Sequence, residues 1–153
     1  MDYDKLKTKV TAVRAEHADW TKTQVAGACN AKTIVEAYDR WVSFRTLAAV
    51  LTEAEYTTAR TILDGAAQAS RRAADMVAML ETPGDESGSG GGINFGCVAV
   101  REQIAVLFAA HEVIRGKLMG MAERLISWAT SEHLDVVTDH HIERAEAMLA
   151  QEA

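Results

Sequence analysis

The chain has 153 residues, of which 48% are hydrophobic and 25% are charged, and its net charge at neutral pH is −6. A chain of this length buries enough apolar surface to form a core without a disulfide or a metal, so we predict a single domain over residues 1–153. Residues 1–81 hold 11 Lys and Arg against 11 Asp and Glu, whereas residues 82–153 hold 5 against 11, which leaves no basic stripe to neutralise phosphates and argues against direct nucleic-acid binding.

The first residues and the cysteines bear on location. The chain opens with the alternating charges of MDYDKLKTK, and it has no run of about 18 uncharged apolar residues. We therefore expect a protein that is not secreted and that has neither a transmembrane segment nor a membrane partner. Cys29 and Cys97 are predicted to be small buried hydrophobes, because two separate cysteines in a reducing compartment are seldom bridged.

Two helices are predicted in the first 50 residues. The first covers about residues 3–20, where apolar residues recur three or four apart. The second begins after Thr21, which has the spacing of a capping box with Gln24. An apolar stripe continues this helix toward Val42, although Asn30 and the β-branched residues that follow it leave open whether the helix is continuous.

The third predicted helix covers residues 53–81 and is lined with small side chains. Thr52 and Glu55 form a capping box at its start. The residues that follow repeat in steps of three and four over 25 positions: Tyr56, Ala59, Leu63, Ala66, Ser70, Ala73, Val77 and Leu80. This spacing predicts one long helix with a narrow seam, which ends before Pro83.

The fourth predicted helix covers residues 98–129 and is lined with large side chains. Its seam again steps by four and three: Val100, Ile104, Leu107, His111, Ile114, Leu118, Met121, Leu125 and Trp128. Large residues pack well opposite small ones, so we predict that 53–81 and 98–129 lie side by side as an antiparallel pair.

A short last helix is predicted after Thr138, which completes an all-α fold: a bundle of about five helices with two long antiparallel members joined by a Gly-rich loop. Residues 50–63 and 136–149 share a pattern of an apolar pair, Thr, an acid and then apolar positions. This similarity indicates either a weak internal repeat or two helices with the same start signal.

The Gly-rich segment 82–96, TPGDESGSGGGINFG, is predicted to be a flexible connector between the two long helices. It does not have the spacing of a phosphate-binding loop, because no lysine follows the glycines. Ile93 and Phe95 are apolar residues at its end. They are expected either to fix the loop to the bundle or to contact a partner.

No residue set predicts a reaction. The five histidines lack the spacing of helical metal ligands, and no serine lies in a G-x-S-x-G context, so we assign no catalytic, cofactor-binding or metal residue. Among the candidates for interaction is His111, in the middle of a seam, where a buried hydrogen-bonded histidine and a pH-sensitive contact are the alternatives. Gly116 and Gly120 either allow another backbone to approach closely or are glycines tolerated on the surface. Trp128, Ile93 and Phe95 are the other candidates.

The segment YDRWVSFRTL, the alanine-rich helix after it and the glycine tract leading to INFG resemble small helical proteins that tailed bacteriophages encode among their structural genes. The resemblance covers about residues 30–104. It implies a helical fold and a location in the virion or the host cytoplasm, and it carries no functional residues with it.

The expected function is that of a non-enzymatic structural or interaction protein, such as a virion component or assembly factor of a tailed bacteriophage. Helical packing would join it to a protein partner or to copies of itself as a homo-oligomer, with no cofactor. One alternative is a small acidic inhibitor that binds a host protein, because residues 129–153 hold six acids and one arginine. A further alternative is a metal- or ligand-binding helical bundle that uses His111 or the histidines of 133–141.

Overall fold

The structure is a computed structural model that describes residues 1–82 and 91–153. These residues form nine helices and four short strands, so the helix-rich class is confirmed. The helices are α1 (Tyr3–Glu16), α2 (Lys22–Asn30), α3 (Phe44–Val50), α4 (Glu53–Ala69), α5 (Arg71–Glu81), α6 (Val98–Leu107), α7 (Glu112–Gly120), α8 (Trp128–Ser131) and α9 (Asp139–Glu152). The strands are β1 (Lys32–Ala37), β2 (Trp41–Val42), β3 (Ile93–Asn94) and β4 (Glu123–Ser127).

The contacts of the chain divide it into two compact units, each with its own hydrophobic core. Unit 1 contains residues Met1–Glu36 and Leu125–Ala153, and unit 2 contains Ala37–Arg124. The single domain predicted over residues 1–153 stays a prediction. Of the predicted connector 82–96, residues 83–90 lie outside the part of the chain that the structure describes.

Unit 1 is built on α1, α2, α8 and α9, and α1 and α2 both pack against α9. Helix α1 buries Leu6, Val10 and Val13, which lie four and three residues apart as predicted. The core also contains Ile142 of α9 and Cys29 of α2, both fully buried. Most residues of the two-stranded sheet formed by β1 and β4 belong to this unit.

Unit 2 contains α3 to α7 and a two-stranded antiparallel sheet in which Trp41 lies opposite Asn94 and Val42 opposite Ile93. Helix α4 packs chiefly against α5. The largest side chains at the centre of this unit are Leu47, Leu63, Leu80, Phe108 and Leu118. In the described part of the chain, no helix is both long enough and apolar enough to cross a membrane.

The predicted helix 53–81 is divided at Ser70 into α4 and α5, which corrects the prediction of one long helix. Ser70 has an extended backbone (φ −140°, ψ 124°), and its hydroxyl accepts a hydrogen bond from the backbone N–H of Ala73 at 3.3 Å. A serine hydroxyl that caps the next helix competes with continuation of the previous one. The seam spacing did not reveal this break, because Ser70 also falls on a seam position.

The predicted helix 98–129 is wrong as one helix, because it is divided into α6, α7, β4 and α8. Ile104 and Phe108 are buried four residues apart, and so are Ile114 and Leu118, but Phe108 and Ile114 are six residues apart. A helix would turn these two residues about 120° from each other. The turn at 108–111 allows both to reach the core, and Leu125 is exposed on β4 instead of buried in a seam.

The predicted second helix ends at Asn30, and residues Lys32–Ala37 form strand β1 in place of its second half. Three consecutive residues of this strand, Thr33, Ile34 and Val35, are β-branched and favour an extended backbone. The prediction that both cysteines are buried is confirmed for Cys29 and wrong for Cys97, which is exposed in the turn before α6.

Helix starts are the most accurate of the sequence predictions. Thr21 and Gln24 form a reciprocal capping box at α2, as do Thr52 and Glu55 at α4. Thr138 caps α9, where its backbone N–H donates to Nδ1 of His141 at 3.1 Å.

Candidate interaction surfaces

The end of the glycine tract is joined to the segment before β2 through the side chain of Asn94. Its Oδ1 accepts hydrogen bonds from the backbone N–H groups of Arg40 (3.2 Å) and Gly96 (2.8 Å). Its Nδ2 donates to Oδ1 of Asp39 at 2.9 Å. The backbone N–H of Phe95 donates to the carbonyl oxygen of Arg40 at 2.9 Å. The sequences YDRW and INFG, more than 50 residues apart, therefore form one hydrogen-bonded arrangement.

Two glycines of this tract are needed for close approach of the backbone. A Cβ atom on Gly96 would lie 2.2 Å from the carbonyl oxygen of Tyr38, and one on Gly92 would lie 2.3 Å from that of Val42. Gly92 also has φ of +84°, which side chains of L-residues rarely adopt. The described end of the tract is thus a packed structural element of unit 2.

Ile93 and Phe95 are buried in the core of unit 2, with 7% and 2% of their surface exposed. Of the two predicted alternatives, the structure places both residues where they fix the loop to the rest of the unit. They are therefore not accessible to a partner in this structure.

Two arginines satisfy carbonyl groups where α7 ends. Nη1 of Arg101 donates to the carbonyl oxygen of Met119 at 3.1 Å, and Nη1 of Arg40 donates to that of Met121 at 2.7 Å. Arg101 also forms an ion pair with Glu123. The last carbonyls of a helix lack intrahelical donors and carry partial negative charge, so guanidinium groups are favourable there. These arginines hold the end of α7 in place.

His111 is the residue before α7, and it is exposed. This corrects the prediction that it lies in the middle of a buried seam. The physical reason is the turn at 108–111, which ends α6 before the seam reaches this position. Its side chain makes no capping hydrogen bond with the helix.

Helix α7 has an exposed face with small side chains. Val113, Gly116 and Gly120 recur three and four residues apart, so they share one face of the helix. Val113 is 69% exposed, and a Cβ atom added at either glycine would meet nothing within 4 Å. Among residues 1–82 and 91–153, no backbone approaches these glycines closely, so of the two alternatives they fit that of glycines on the surface. We call Val113, Gly116 and Gly120 the α7 surface.

Trp128 is half-buried at the start of α8 and packs on the core of unit 1. The ammonium of Lys9 lies 5.7 Å from the centroid of the Trp128 ring, within the range of a cation–π contact. The indole forms part of a shallow depression of about 290 Å³ whose lining also includes Lys5, Thr8, Ala12 and Glu132.

The acidic C-terminal segment is largely neutralised inside unit 1. Four of its six carboxylates form ion pairs with basic residues of α1 and α2: Glu132 with Lys5 (3.1 Å), Glu143 with Lys22 (3.2 Å), Glu146 with Arg14 (2.7 Å) and Glu152 with Lys7 (2.5 Å). The hydrogen bond with Glu152, followed by one with Asp4, raises the pKa of Lys7. The negative field that residues 129–153 present to solvent is therefore smaller than their composition indicates, which gives the phosphate-like alternative little support.

Strand β1 presents exposed apolar side chains that the sequence analysis did not select. Val35 is 60% exposed and Ile34 is 36% exposed, and Leu125 of the paired strand β4 is 55% exposed. The three β-branched residues of β1 are the signal for a strand, but the apolar stripe to which they belong is ambiguous between helix and strand.

Groups with the chemistry of an active site are sparse. Across residues 1–82 and 91–153, no three His, Cys, Asp or Glu side chains come together as a metal-binding group. Within the same ranges, every buried side-chain nitrogen or oxygen has a hydrogen-bond partner. Burial raises the pKa of the Cys29 thiol, which makes it a poor nucleophile at neutral pH.

Comparison of the chain with protein-family models, with curated proteins and with solved structures finds no match.

Proposed function

We propose that the chain is a non-enzymatic structural or interaction protein that binds a protein partner through the α7 surface. The observation that carries this proposal is the exposed side of α7, where a valine is followed by two glycines at which an added Cβ would meet no atom of the described residues within 4 Å. Glycines allow another backbone to come within contact distance. Burial of a neighbouring apolar side chain away from water lowers the free energy of the complex.

Other exposed apolar side chains on nearby parts of the sequence support the same proposal. Val106 near the end of α6 is 75% exposed, and Val98 at its start is also exposed. Single exposed apolar residues are common in proteins and have no special meaning. Val106, the exposed His111 and Val113 lie within eight residues of the sequence, and this recurrence on α6 and α7 favours a surface that a helical partner covers.

We further propose that this protein acts in the virion or in the host cytoplasm as a component or assembly factor of a tailed bacteriophage. The support is the resemblance over about residues 30–104, in which the segments YDRW and INFG are joined through Asn94.

The α7 surface is tested by the substitution Val113→Glu, with Val136→Glu as the matched control. Both valines are about equally exposed, at 69% and 71%, but Val136 lies in the segment before α9. A glutamate in the first turn of α7 is favourable for the helix, so the fold is expected to be unchanged. We expect Val113→Glu to lose the protein partner found for the wild type by native mass spectrometry and affinity capture, and Val136→Glu to keep it.

A second variant separates binding from stability. Gly116→Ala has room for its methyl group and should stabilise α7 by about 0.5–1 kcal/mol. If a partner backbone approaches this glycine closely, the same variant weakens the complex while raising the melting temperature. An unchanged complex in both Val113→Glu and Gly116→Ala contradicts the proposed role of the α7 surface.

The phage role has its own test. Mass spectrometry of purified particles of the phage that encodes the chain should detect it at a fixed ratio to the major capsid protein. If it occurs only in the host lysate, bound to assembly intermediates, it is an assembly factor. If it is found with neither, the phage role is wrong.

A further inference from the structure

Strand β1 has an edge to which another strand could be added. In the described residues, β1 belongs to a sheet of two strands whose other member is β4, so one side of β1 has no neighbouring strand. Five of its six residues are exposed, and Glu36 is half-buried. The N–H and C=O groups along such an edge favour pairing with a further extended segment.

The centre of β1 lacks the features that usually prevent edge pairing. Proteins often protect an edge with charged side chains, a proline or a bulge. The sequence of β1 is KTIVEA, with Thr33, Ile34 and Val35 in the middle and charged residues only at positions 32 and 36. β-branched residues of this kind favour strand pairing.

The order of residues in β1 is complementary to itself. When two copies pair in antiparallel fashion about a two-fold axis at Ile34, Lys32 of each copy lies opposite Glu36 of the other. Thr33 lies opposite Val35, and the two Ile34 side chains lie opposite each other. Residues directly opposite in an antiparallel pair interact, and opposite charges there are favourable.

The alternation of side chains in a strand places these pairs on two faces. Lys32, Ile34 and Glu36 share one face, so that face has an isoleucine pair flanked by two ion pairs. A shift of one residue moves Lys32 opposite Ala37 and removes both ion pairs. A parallel arrangement in register puts like charges beside each other. The antiparallel register centred on Ile34 is therefore preferred over these alternatives.

We propose that a second copy of this chain pairs with β1 along this edge, which joins two β1–β4 sheets into one four-stranded sheet. The complementary charges at positions 32 and 36 favour a second copy as the occupant over an unrelated peptide. Glu36 already interacts within its own chain, and a carboxylate has enough acceptor sites for a second cation. The inference rests on the proposed function as an interaction protein and names one partner, but it uses a different surface from α7.

The test uses the full chain in sedimentation equilibrium over a range of concentrations. The wild type should show a reversible monomer–dimer equilibrium. Lys32→Glu places carboxylates opposite each other in both pairs, and Glu36→Lys does the same with ammonium groups, so each should weaken the dimer about tenfold or more. Arg45→Glu is the control, since it makes the same charge change at an exposed position on α3.

Mixing the two single variants provides the decisive measurement. In a mixed dimer, every position 32 again lies opposite the opposite charge at position 36, so we expect the heterodimer to form at near wild-type affinity. The double variant K32E/E36K should likewise recover the homodimer. Circular dichroism of each variant checks that it is folded. Ile34→Lys brings two ammonium groups together at the axis, so it should also weaken the dimer.

The inference is overturned if the wild type is monomeric at all concentrations, or if Lys32→Glu and Arg45→Glu have the same effect. It is also overturned if the mixed variants do not associate. None of these results affects the proposal for α7, which depends on the response to Val113→Glu. Conversely, loss of partner binding in Val113→Glu with an intact dimer supports both.

Discussion

The side chain of Asn30 pairs with the backbone of Val137 through two hydrogen bonds. Its Nδ2 donates to the carbonyl oxygen of Val137 at 2.7 Å, and its Oδ1 accepts from the Val137 N–H at 3.0 Å. The amide thus pairs with Val137 as a neighbouring strand would, at the point where α2 ends. Since Val137 is buried in the core of unit 1, its backbone groups depend on this side chain for their hydrogen bonds.

We predict that Asn30→Ala lowers the free energy of unfolding by about 1–3 kcal/mol, because it leaves a buried N–H and a buried C=O without partners. Urea denaturation followed by circular dichroism measures this loss. The variant Asn30→Asp keeps the acceptor and removes the donor, so it should also be destabilised. If Asn30→Ala is as stable as the wild type, the paired geometry does not contribute to folding.

Two glycines should respond in opposite directions to the same substitution. Gly96→Ala places a methyl group against the backbone of Tyr38, where an added Cβ would lie 2.2 Å from the carbonyl oxygen, and we expect a loss of about 1–3 kcal/mol. Gly65→Ala in α4 meets nothing within 4 Å and should gain up to about 1 kcal/mol. Thermal unfolding of both variants distinguishes a packing requirement at Gly96 from a general effect of glycine replacement.

The ion pair between Glu55 and Lys117 should make stability depend on pH in the acid range. Nζ of Lys117 donates to Oε1 of Glu55 at 2.7 Å, and with the hydrogen bonds to Thr52 this lowers the pKa of Glu55 from 4.5 to about 2. A carboxyl group with a lowered pKa contributes stability that is fully present above its unfolded pKa and is lost as the pH falls. We therefore expect this contribution to disappear between pH 4.5 and about 2.

The substitution Glu55→Gln isolates the charge, because glutamine can still accept the hydrogen bond from the backbone of Thr52. Comparison of urea denaturation at pH 6 and at acid pH should show that the wild type loses its advantage over Glu55→Gln as the pH falls. Lys117→Met should raise the pKa of Glu55 toward its ordinary value, as measured by NMR titration of the carboxyl carbon. An unchanged titration in Lys117→Met contradicts the assignment of Lys117 as the main cause.

Helix starts could be predicted because a capping box involves residues three positions apart. Thr52 and Glu55 satisfy each other's backbone groups regardless of the rest of the chain. Helix continuity could not be predicted in the same way. Ser70 falls on a seam position, but it also caps the next helix. Phe108 and Ile114 are both buried only because a turn separates their helices, and a helical repeat does not predict that turn.

The candidate site was predicted only in part. Val113 was not selected from the sequence, although Gly116 and Gly120 on the same face were. For His111 the alternatives were a buried histidine and a pH-sensitive contact, and the turn that precedes α7 leaves it exposed. The apolar residues of β1 were assigned to a helix, because the stripe to which they belong is ambiguous between helix and strand.

By itself, the sequence determined the helix-rich class, the points at which helices begin and the apolar residues of α1 that face a core, because these depend on interactions within one turn or one helix face. Only the tertiary structure decided where the long seams break and that INFG packs against YDRW. Asn94 and Arg40 are 54 positions apart, and a hydrogen bond over that separation exists only once the intervening helices have packed. The same holds for Gly96 and Gly92. They are required because the backbone of Tyr38 and Val42, which is distant in sequence, passes close to them.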